Sequence, residues 1–167
     1  MQTEMFNGDL SADGSLLKEH LTRMTFIGTL KINGDRLDYV RSPHLRAKEL
    51  NEDLVYFMVC NRQLMKIGKA GGKTGWNGRV GMYKSGITPR GDGTNKRIFR
   101  IMKERNLTKE TIHVFGIYTP PKIIEVTCPM TGDITTEEVQ VHGNIEKSLT
   151  AKYIAEGYEL PFSNQLQ

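Results

Sequence analysis

The sequence predicts an α/β fold of the α+β type, in which short antiparallel strands are flanked by helices. Its 167 residues suit one compact domain, and a hydrophobic fraction of 38% is sufficient for a core. Short runs rich in β-branched and aromatic residues alternate with turn residues, as is typical of antiparallel strands. Other segments carry apolar residues at helical spacing. Together these observations exclude a fibrous or largely disordered chain.

The N-terminal third predicts a β-rich addition. Leu16, Leu17 and Leu21 fit a short amphipathic helix. The runs MTFIGTLKI and RLDYV then flank Asn33-Gly34. An Asn-Gly step between two apolar runs is a strong hairpin signal, so we expect two paired strands here.

A second hairpin is predicted at residues 54–70, where LVYFMVC and QLMKIGKA are joined by Asn61-Arg62. The glycine-rich stretch GKAGGKTGWNG overlaps its end, and there we expect regular structure to stop. The stretch is similar to a phosphate-binding G-x-x-x-x-G-K-[ST] loop, but the spacing is one residue short and we expect no helix to begin there. A flexible loop is the favoured interpretation.

The rest of the chain predicts alternating helices and strands. In order they are a helix at 79–85, a helix at about 96–106, a strand at 110–120, a hairpin at 122–142 that turns at 130–133, and a helix at 144–156. Ile98, Ile101 and Met102 would line the buried stripe of the second of these helices, and Asn144 is the expected cap of the last.

The charge is unevenly distributed along the chain. Residues 62–105 hold twelve Lys or Arg against two acidic residues, a net charge of +10, although the whole chain carries only +4. The remainder therefore carries −6. A concentrated positive field attracts polyanions, nucleic acid above all, but a solvated basic face is an equally weighted alternative on charge alone.

Several classes of protein are disfavoured by simple features of the sequence. No apolar run is long enough to cross a bilayer, and MQTEMFNGDLSADG lacks the layout of a signal peptide, so we expect a soluble, cytoplasmic protein. Cys60 and Cys128 form no CxxC pair and are expected to be reduced thiols. The histidines lack the spacing of a metal cluster; they are His20, His44, His113 and His142.

Two triplets and four single residues between positions 54 and 164 occur in a characteristic order. The triplets Leu54-Val55-Tyr56 and Lys66-Ile67-Gly68 lie on the paired strands, Arg79 and Tyr83 follow four residues apart, and Glu146 and Asn164 come last. This order resembles the GIY-YIG nuclease family. The family has an aromatic triplet and a triplet ending in Ile-Gly on two hairpin strands, then an arginine, a His or Tyr, a glutamate and an asparagine. Lys66 replaces the second tyrosine, which is similar to the subgroup that includes type II restriction enzymes.

The resemblance implies a small antiparallel three-stranded sheet flanked by helices, with an N-terminal β-rich addition and an inserted hairpin. It divides the chain into residues 1–50, an extension for dimerisation or DNA contact, and residues 51–167, the nuclease-like domain. The literal triplet Gly116-Ile117-Tyr118 has no Ile-Gly partner strand after it. We therefore expect it to match by chance and to form the third strand of the sheet.

The resemblance also implies roles for the matched residues. Tyr56 would be the general base, with Lys66 as the neighbour that favours its phenolate. Arg79 would hold the scissile phosphate, and Tyr83 would bind phosphate or orient the water. Glu146 would bind Mg²⁺, or Mn²⁺ in its place, to stabilise the leaving oxygen. Gly68 and Asn164 would have supporting roles.

The expected function is metal-dependent hydrolysis of double-stranded DNA, by a type II restriction enzyme acting as a homodimer. A phage, mobile-element or structure-specific repair nuclease of the same family is the first alternative, and a noncatalytic nucleic-acid-binding module is the second. The expected DNA-binding residues are Lys69, Lys73, Lys84, Arg90, Lys96, Arg97, Arg100 and Lys103.

Overall fold

The computed structural model describes residues 16–34, 36–86 and 93–163, without the side chains of residues 85, 86 and 93–95. The strands are β1 (Thr25–Asn33), β2 (Arg36–Arg41), β3 (Leu54–Cys60), β4 (Gln63–Ala70), β5 (Ile112–Tyr118), β6 (Lys122–Thr127) and β7 (Ile134–Val139). The helices are α1 (Lys18–Leu21), α2 (Gly75–Gly86), α3 (Gly93–Glu104) and α4 (His142–Ala155), with a 3₁₀ turn at Ala47–Asn51. None of the helices in these ranges is long and apolar enough to cross a membrane.

Five strands form one antiparallel sheet in the order β2-β1-β5-β3-β4, and β6 and β7 form a separate hairpin. The predicted fold class is confirmed. The three strands implied by the resemblance are β4, β3 and β5, and β1 of the N-terminal hairpin pairs with β5, so that Thr25 lies opposite Gly116. The triplet Gly116-Ile117-Tyr118 lies in β5, the expected third strand.

Strand β3 is buried along its whole length because both faces of the sheet are covered. One face packs against α2 and α3 through side chains such as Trp76 and Met102. The opposite face packs against α4 and the segment before β1, through Tyr153 and Leu16. A strand buried on both faces has no reason to alternate polar and apolar residues, which accounts for the continuous apolar run LVYFMVC.

Helices α2 and α4 begin earlier than predicted. Strand β4 ends at Ala70 as predicted, but α2 begins at Gly75 instead of residue 79, so a helix does begin within the glycine-rich stretch and only a four-residue connection separates the two elements. Gly75 has a positive φ of 46°, and a Cβ there would meet the backbone of Leu50 and Asn51 at 2.6 to 2.8 Å. Helix α4 begins at His142, before the cap expected at Asn144, and no side chain caps its N-terminus.

The predicted hairpin of β6 and β7 forms, and it lies on the surface. Gly132 adopts φ 75° in the turn, and its N–H donates to the carbonyl of Cys128. Ile123 and Ile134 remain 75% and 65% exposed. The hairpin therefore adds little to the core around β3.

Candidate active site

The candidate site surrounds β4, the edge strand of the sheet. The β3–β4 register places Tyr56 opposite Gly68 and Met58 opposite Lys66. Directly opposed residues in an antiparallel pair point to the same face, so Tyr56, Gly68 and Lys66 share one face of the sheet, as their even spacing predicted.

Gly68 makes room for the ring of Tyr56. A Cβ at Gly68 would overlap the ring carbons and the hydroxyl of Tyr56, far inside contact distance. The requirement is steric, because the backbone at this position is ordinary strand. The absence of a side chain at Gly68 thus allows the tyrosine to lie across β4.

Helix α2 brings Tyr83 to the hydroxyl of Tyr56. The two hydroxyl oxygens are 2.5 Å apart and hydrogen-bonded, and both rings are buried. Trp76, on the same helix, contacts the ring of Tyr56 edge-on with centroids 5.0 Å apart. Tyr83 is therefore positioned to orient Tyr56, a contact that its spacing from Arg79 alone does not predict.

Burial dominates the electrostatics of this tyrosine pair. It raises the pKa of Tyr56 to about 12 and holds that of Tyr83 well above its usual value. The positive charge of Arg79 lowers the pKa of both hydroxyls, whereas the negative charge of Glu146 raises them. Arg79 is thus a cation that favours the Tyr56 phenolate, a role that the sequence assigned to Lys66. The effect of Lys66 stays a prediction.

Arg79 lies one helical turn before Tyr83, and its side chain contacts the end of β4. Its Nη2 donates a hydrogen bond of 3.0 Å to the backbone carbonyl of Lys69. A guanidinium has five N–H donors in a fixed fork, so this bond and a 4.0 Å contact from Nη1 to the sulfur of Met82 leave donors for a phosphate. The side chain is half-buried, which keeps it within reach of a ligand.

Glu146 approaches the same strand from the other side, on α4. Its Oε2 lies 4.0 Å from Nζ of Lys69, and the two side chains are 26% and 45% exposed. Lys69 was expected to contact DNA, and the structure places its ammonium group beside the carboxylate. An ion pair this exposed contributes little to stability, so both groups can exchange it for a ligand at low cost.

Glu146 fits a divalent cation of the Mg²⁺ type. Across the described ranges no three His, Cys, Asp or Glu side chains converge on one point, so a cage of protein ligands is absent there. Mg²⁺ keeps several of its waters and commonly uses one or two carboxylates together with substrate phosphate. A single, partly exposed glutamate suits such a cation.

The remaining expected residues are spread over α2, α3 and their surroundings. Lys66 and Arg97 are half-buried, and Arg100 pairs with Glu104 at 3.6 Å. The exposed lysines of the expected DNA-binding set are Lys73, Lys84, Lys96 and Lys103. Two expected residues, Arg90 and Asn164, lie outside the described residues.

One polar pair was missed from the sequence. Asp53 precedes β3, His142 begins α4, and Oδ2 of the aspartate is 3.4 Å from Nδ1 of the histidine. His142 belongs to no metal-binding sequence motif. Nothing in the local sequence signals the pair, since its members are distant along the chain.

The sequence matches no family model and no curated protein. The structure is similar to that of the restriction endonuclease HPY188I in complex with product DNA, with a TM-score of 0.53 and 14% identity, over 100% of this chain and 96% of that chain. It is also similar to a mutant of bacteriophage T4 EndoII, with a TM-score of 0.50 and 17% identity, over 88% of this chain and 98% of that chain. These similarities establish a shared fold.

Proposed function

We propose that this chain is a DNA endonuclease of the GIY-YIG type, which hydrolyses phosphodiester bonds in double-stranded DNA. One observation carries the proposal: Tyr56, Tyr83, Arg79 and Glu146 come from three separate elements and converge on the edge strand β4. The GIY-YIG motif identifies these residues by their order along the chain, independently of their contacts. The similarity in fold to two nucleases supports the same conclusion.

In this proposal each side chain has a separate role in phosphodiester hydrolysis. Arg79 binds the scissile phosphate through its free donors and stabilises the charge that develops there. Tyr56 receives the proton of the attacking water, and Tyr83 donates a hydrogen bond to its oxygen. Glu146 would hold Mg²⁺, or Mn²⁺ in its place, which when bound supplies positive charge to the leaving oxygen.

Burial limits the basicity that Tyr56 can provide. With a pKa of about 12 the hydroxyl is protonated at neutral pH, so Tyr56 must first lose this proton to solvent before the phenolate can accept one from the attacking water. Arg79 and the hydrogen bond from Tyr83 both lower the pKa of Tyr56. Lys66, on the same face of the sheet, is the proposed additional source of positive charge.

The more specific proposal is a type II restriction enzyme that acts as a homodimer, because cutting both strands of a symmetric site needs two active sites. HPY188I, one of the similar structures, is a restriction endonuclease. EndoII comes from a bacteriophage, and this favours a phage, mobile-element or repair nuclease as the alternative. Discrete fragments from a plasmid of known sequence support restriction activity, whereas a smear or junction-specific cutting supports the alternative.

The test is plasmid cleavage by the purified protein, with Mg²⁺ and then with EDTA. Arg79→Ala and Glu146→Ala should each lower the rate by about 100-fold or more, because the first removes the cation that binds the reacting phosphate and the second removes the carboxylate that would hold the metal ion. Lys109→Ala is the matched control: it also removes a positive charge, from an exposed position outside the proposed site. Undiminished cleavage in EDTA contradicts metal dependence, and intact plasmid with both Mg²⁺ and Mn²⁺ contradicts the nuclease in favour of a binding module.

A further inference from the structure

Asp53 and His142 form a polar contact behind the candidate site. The carboxylate of Asp53 is 6% exposed and the imidazole of His142 is 16% exposed. Oδ1 of Asp53 accepts a 3.0 Å hydrogen bond from the backbone N–H of Gly72, and Oδ2 faces Nδ1 of the histidine. Within the described ranges neither of these two facing atoms makes a hydrogen bond, so the 3.4 Å approach is a charge contact. A buried carboxylate oxygen in this position is costly unless the histidine compensates it.

The chain directly after β4 packs tightly against the Asp53–His142 pair. A Cβ at Gly71 would lie 2.6 Å from Cε1 of His142 and 2.7 Å from Oδ1 of Asp53. Only a residue without a side chain allows this approach. The contact therefore joins three places in the fold: the start of β3, the end of β4 and the start of α4.

The contact lies one helical turn from Glu146. His142 and Glu146 are four residues apart on α4, so their side chains point to the same side of the helix. No side chain caps this end of α4, and the only fully buried residue of the helix, Tyr153, is near its other end. The pair is thus a specific polar attachment of the first turn of α4 to the sheet.

We propose that Asp53 and His142 are positioning residues, which fix the first turn of α4 against the end of β4 and so hold the Glu146 carboxylate opposite Arg79. The proposal rests on the proposed function of Glu146. The link is short, because Lys69, whose carbonyl accepts from Arg79 and whose ammonium group lies beside Glu146, is two residues before Gly71.

Two histidine variants separate positioning from mere packing. An asparagine places an amide N–H near the position of Nδ1, whereas a leucine has similar bulk and no donor. His142→Leu should lower kcat for plasmid cleavage by about 10- to 100-fold with little change in KM for DNA, and His142→Asn should restore most of kcat. Asp53→Asn should resemble His142→Leu, and the double variant should be no slower than either single variant.

The matched control is Glu52→Gln. Glu52 is exposed, next to Asp53 in sequence and on the same surface cleft, so its replacement removes the same charge without touching His142. This control should cleave at the wild-type rate. If Glu52→Gln and Asp53→Asn lower kcat equally, a general change in charge explains the effect and the proposal is wrong.

Hydrogen–deuterium exchange gives a second measurement that does not depend on cleavage. Without DNA or metal, amides at residues 143–147 should exchange faster in His142→Leu than in the wild type or His142→Asn, and amides in β3 should be unchanged. Wild-type cleavage in every variant, or abolished cleavage with unchanged exchange at α4, overturns the proposal. If the wild type cuts no DNA, the proposed function fails, while exchange still reports whether the pair anchors α4.

Discussion

The absence of a side chain at Gly68 makes room for the ring of Tyr56 at the centre of the candidate site. Their pairing was predictable, because an even offset between two hairpin strands places residues on one face. The Tyr56–Tyr83 hydrogen bond and the Asp53–His142 contact were not, since each depends on how a helix packs against the sheet. Residue types and spacing therefore predict membership of the site better than they predict its contacts.

Replacing Gly68 by alanine should displace the ring of Tyr56. We expect Gly68→Ala to lower the free energy of unfolding by about 1–3 kcal/mol, because an added methyl group overpacks a filled space. Cleavage should be abolished with it. Urea unfolding provides the measurement.

Gly81→Ala is the control for that experiment. Gly81 lies in α2, and a Cβ there would meet nothing within 4 Å. This variant should be stabilised by up to about 1 kcal/mol, since alanine favours helix over glycine. Equal stability of the two alanine variants would contradict the steric account.

Tyr56 should also make stability fall at high pH. Its pKa is about 12 in the folded protein, above the ordinary value of 10, so the unfolded chain loses this proton first. Stability is therefore fully present below pH 10 and is lost as the pH rises from 10 toward 12, by about 3 kcal/mol from this group. Tyr56→Phe should reduce the slope of stability against pH between pH 10 and 12, measured by urea unfolding. An unchanged slope would show that Tyr56 is not desolvated.

At the scale of elements, strands and turns were predicted correctly where the local sequence signals are strong. Strands β3 and β4 have the predicted bounds because two apolar runs meet at Asn61-Arg62, and both turn residues adopt positive φ, 48° and 62°. The start of α2 was missed because Gly75 is held by the packing of distant residues. The start of α4 was missed because no capping side chain marks it.

Helix α3 should contribute to DNA affinity through its exposed basic side chains. Arg100 and Lys103 both face solvent, and a cation that neutralises a DNA phosphate releases a bound counterion. The double variant Arg100→Gln with Lys103→Gln should bind all DNA sequences more weakly and reduce the slope of log K against log salt by about 2. Fluorescence anisotropy in a Glu146→Ala background measures this without cleavage. Binding that changes for only one sequence would contradict a phosphate role.

At the scale of the whole molecule, the N-terminal hairpin is continuous with the sheet that contains β3, β4 and β5. Strand β1 covers the free edge of β5, and Ile27, Leu30 and Leu37 join the core that contains Tyr56. The sequence predicted the hairpin but not its docking, because the β1–β5 pairing joins segments far apart along the chain. The boundary at residue 50 stays a prediction.

Residues 51–167 expressed alone should therefore fold poorly. Deletion exposes the edge of β5 and removes buried aliphatic side chains, each worth about 1.5–3 kcal/mol. We expect aggregation, or loss of a cooperative transition in thermal circular dichroism. A fragment that melts at the temperature of the full chain would show that the addition is energetically independent.

The asymmetric charge has a consequence for the molecule as a whole. The basic segment 62–105 contains β4, α2 and α3, the elements that surround Tyr56 and Arg79 on one face of the sheet. Glu146 belongs to the acidic remainder and reaches the edge of β4 from α4. DNA attracted to the basic segment would thus meet the carboxylate where the two parts adjoin.

Digestion of a supercoiled plasmid of known sequence, followed by sequencing of the fragment ends, tests the central claim most directly. With Mg²⁺ the wild type should convert supercoiled plasmid to discrete linear fragments without accumulating nicked circles, as paired active sites require. Arg79→Ala should leave the plasmid intact under the same conditions. Cleavage by Arg79→Ala at the wild-type rate, or no cleavage by the wild type with Mg²⁺ or Mn²⁺, would contradict the account.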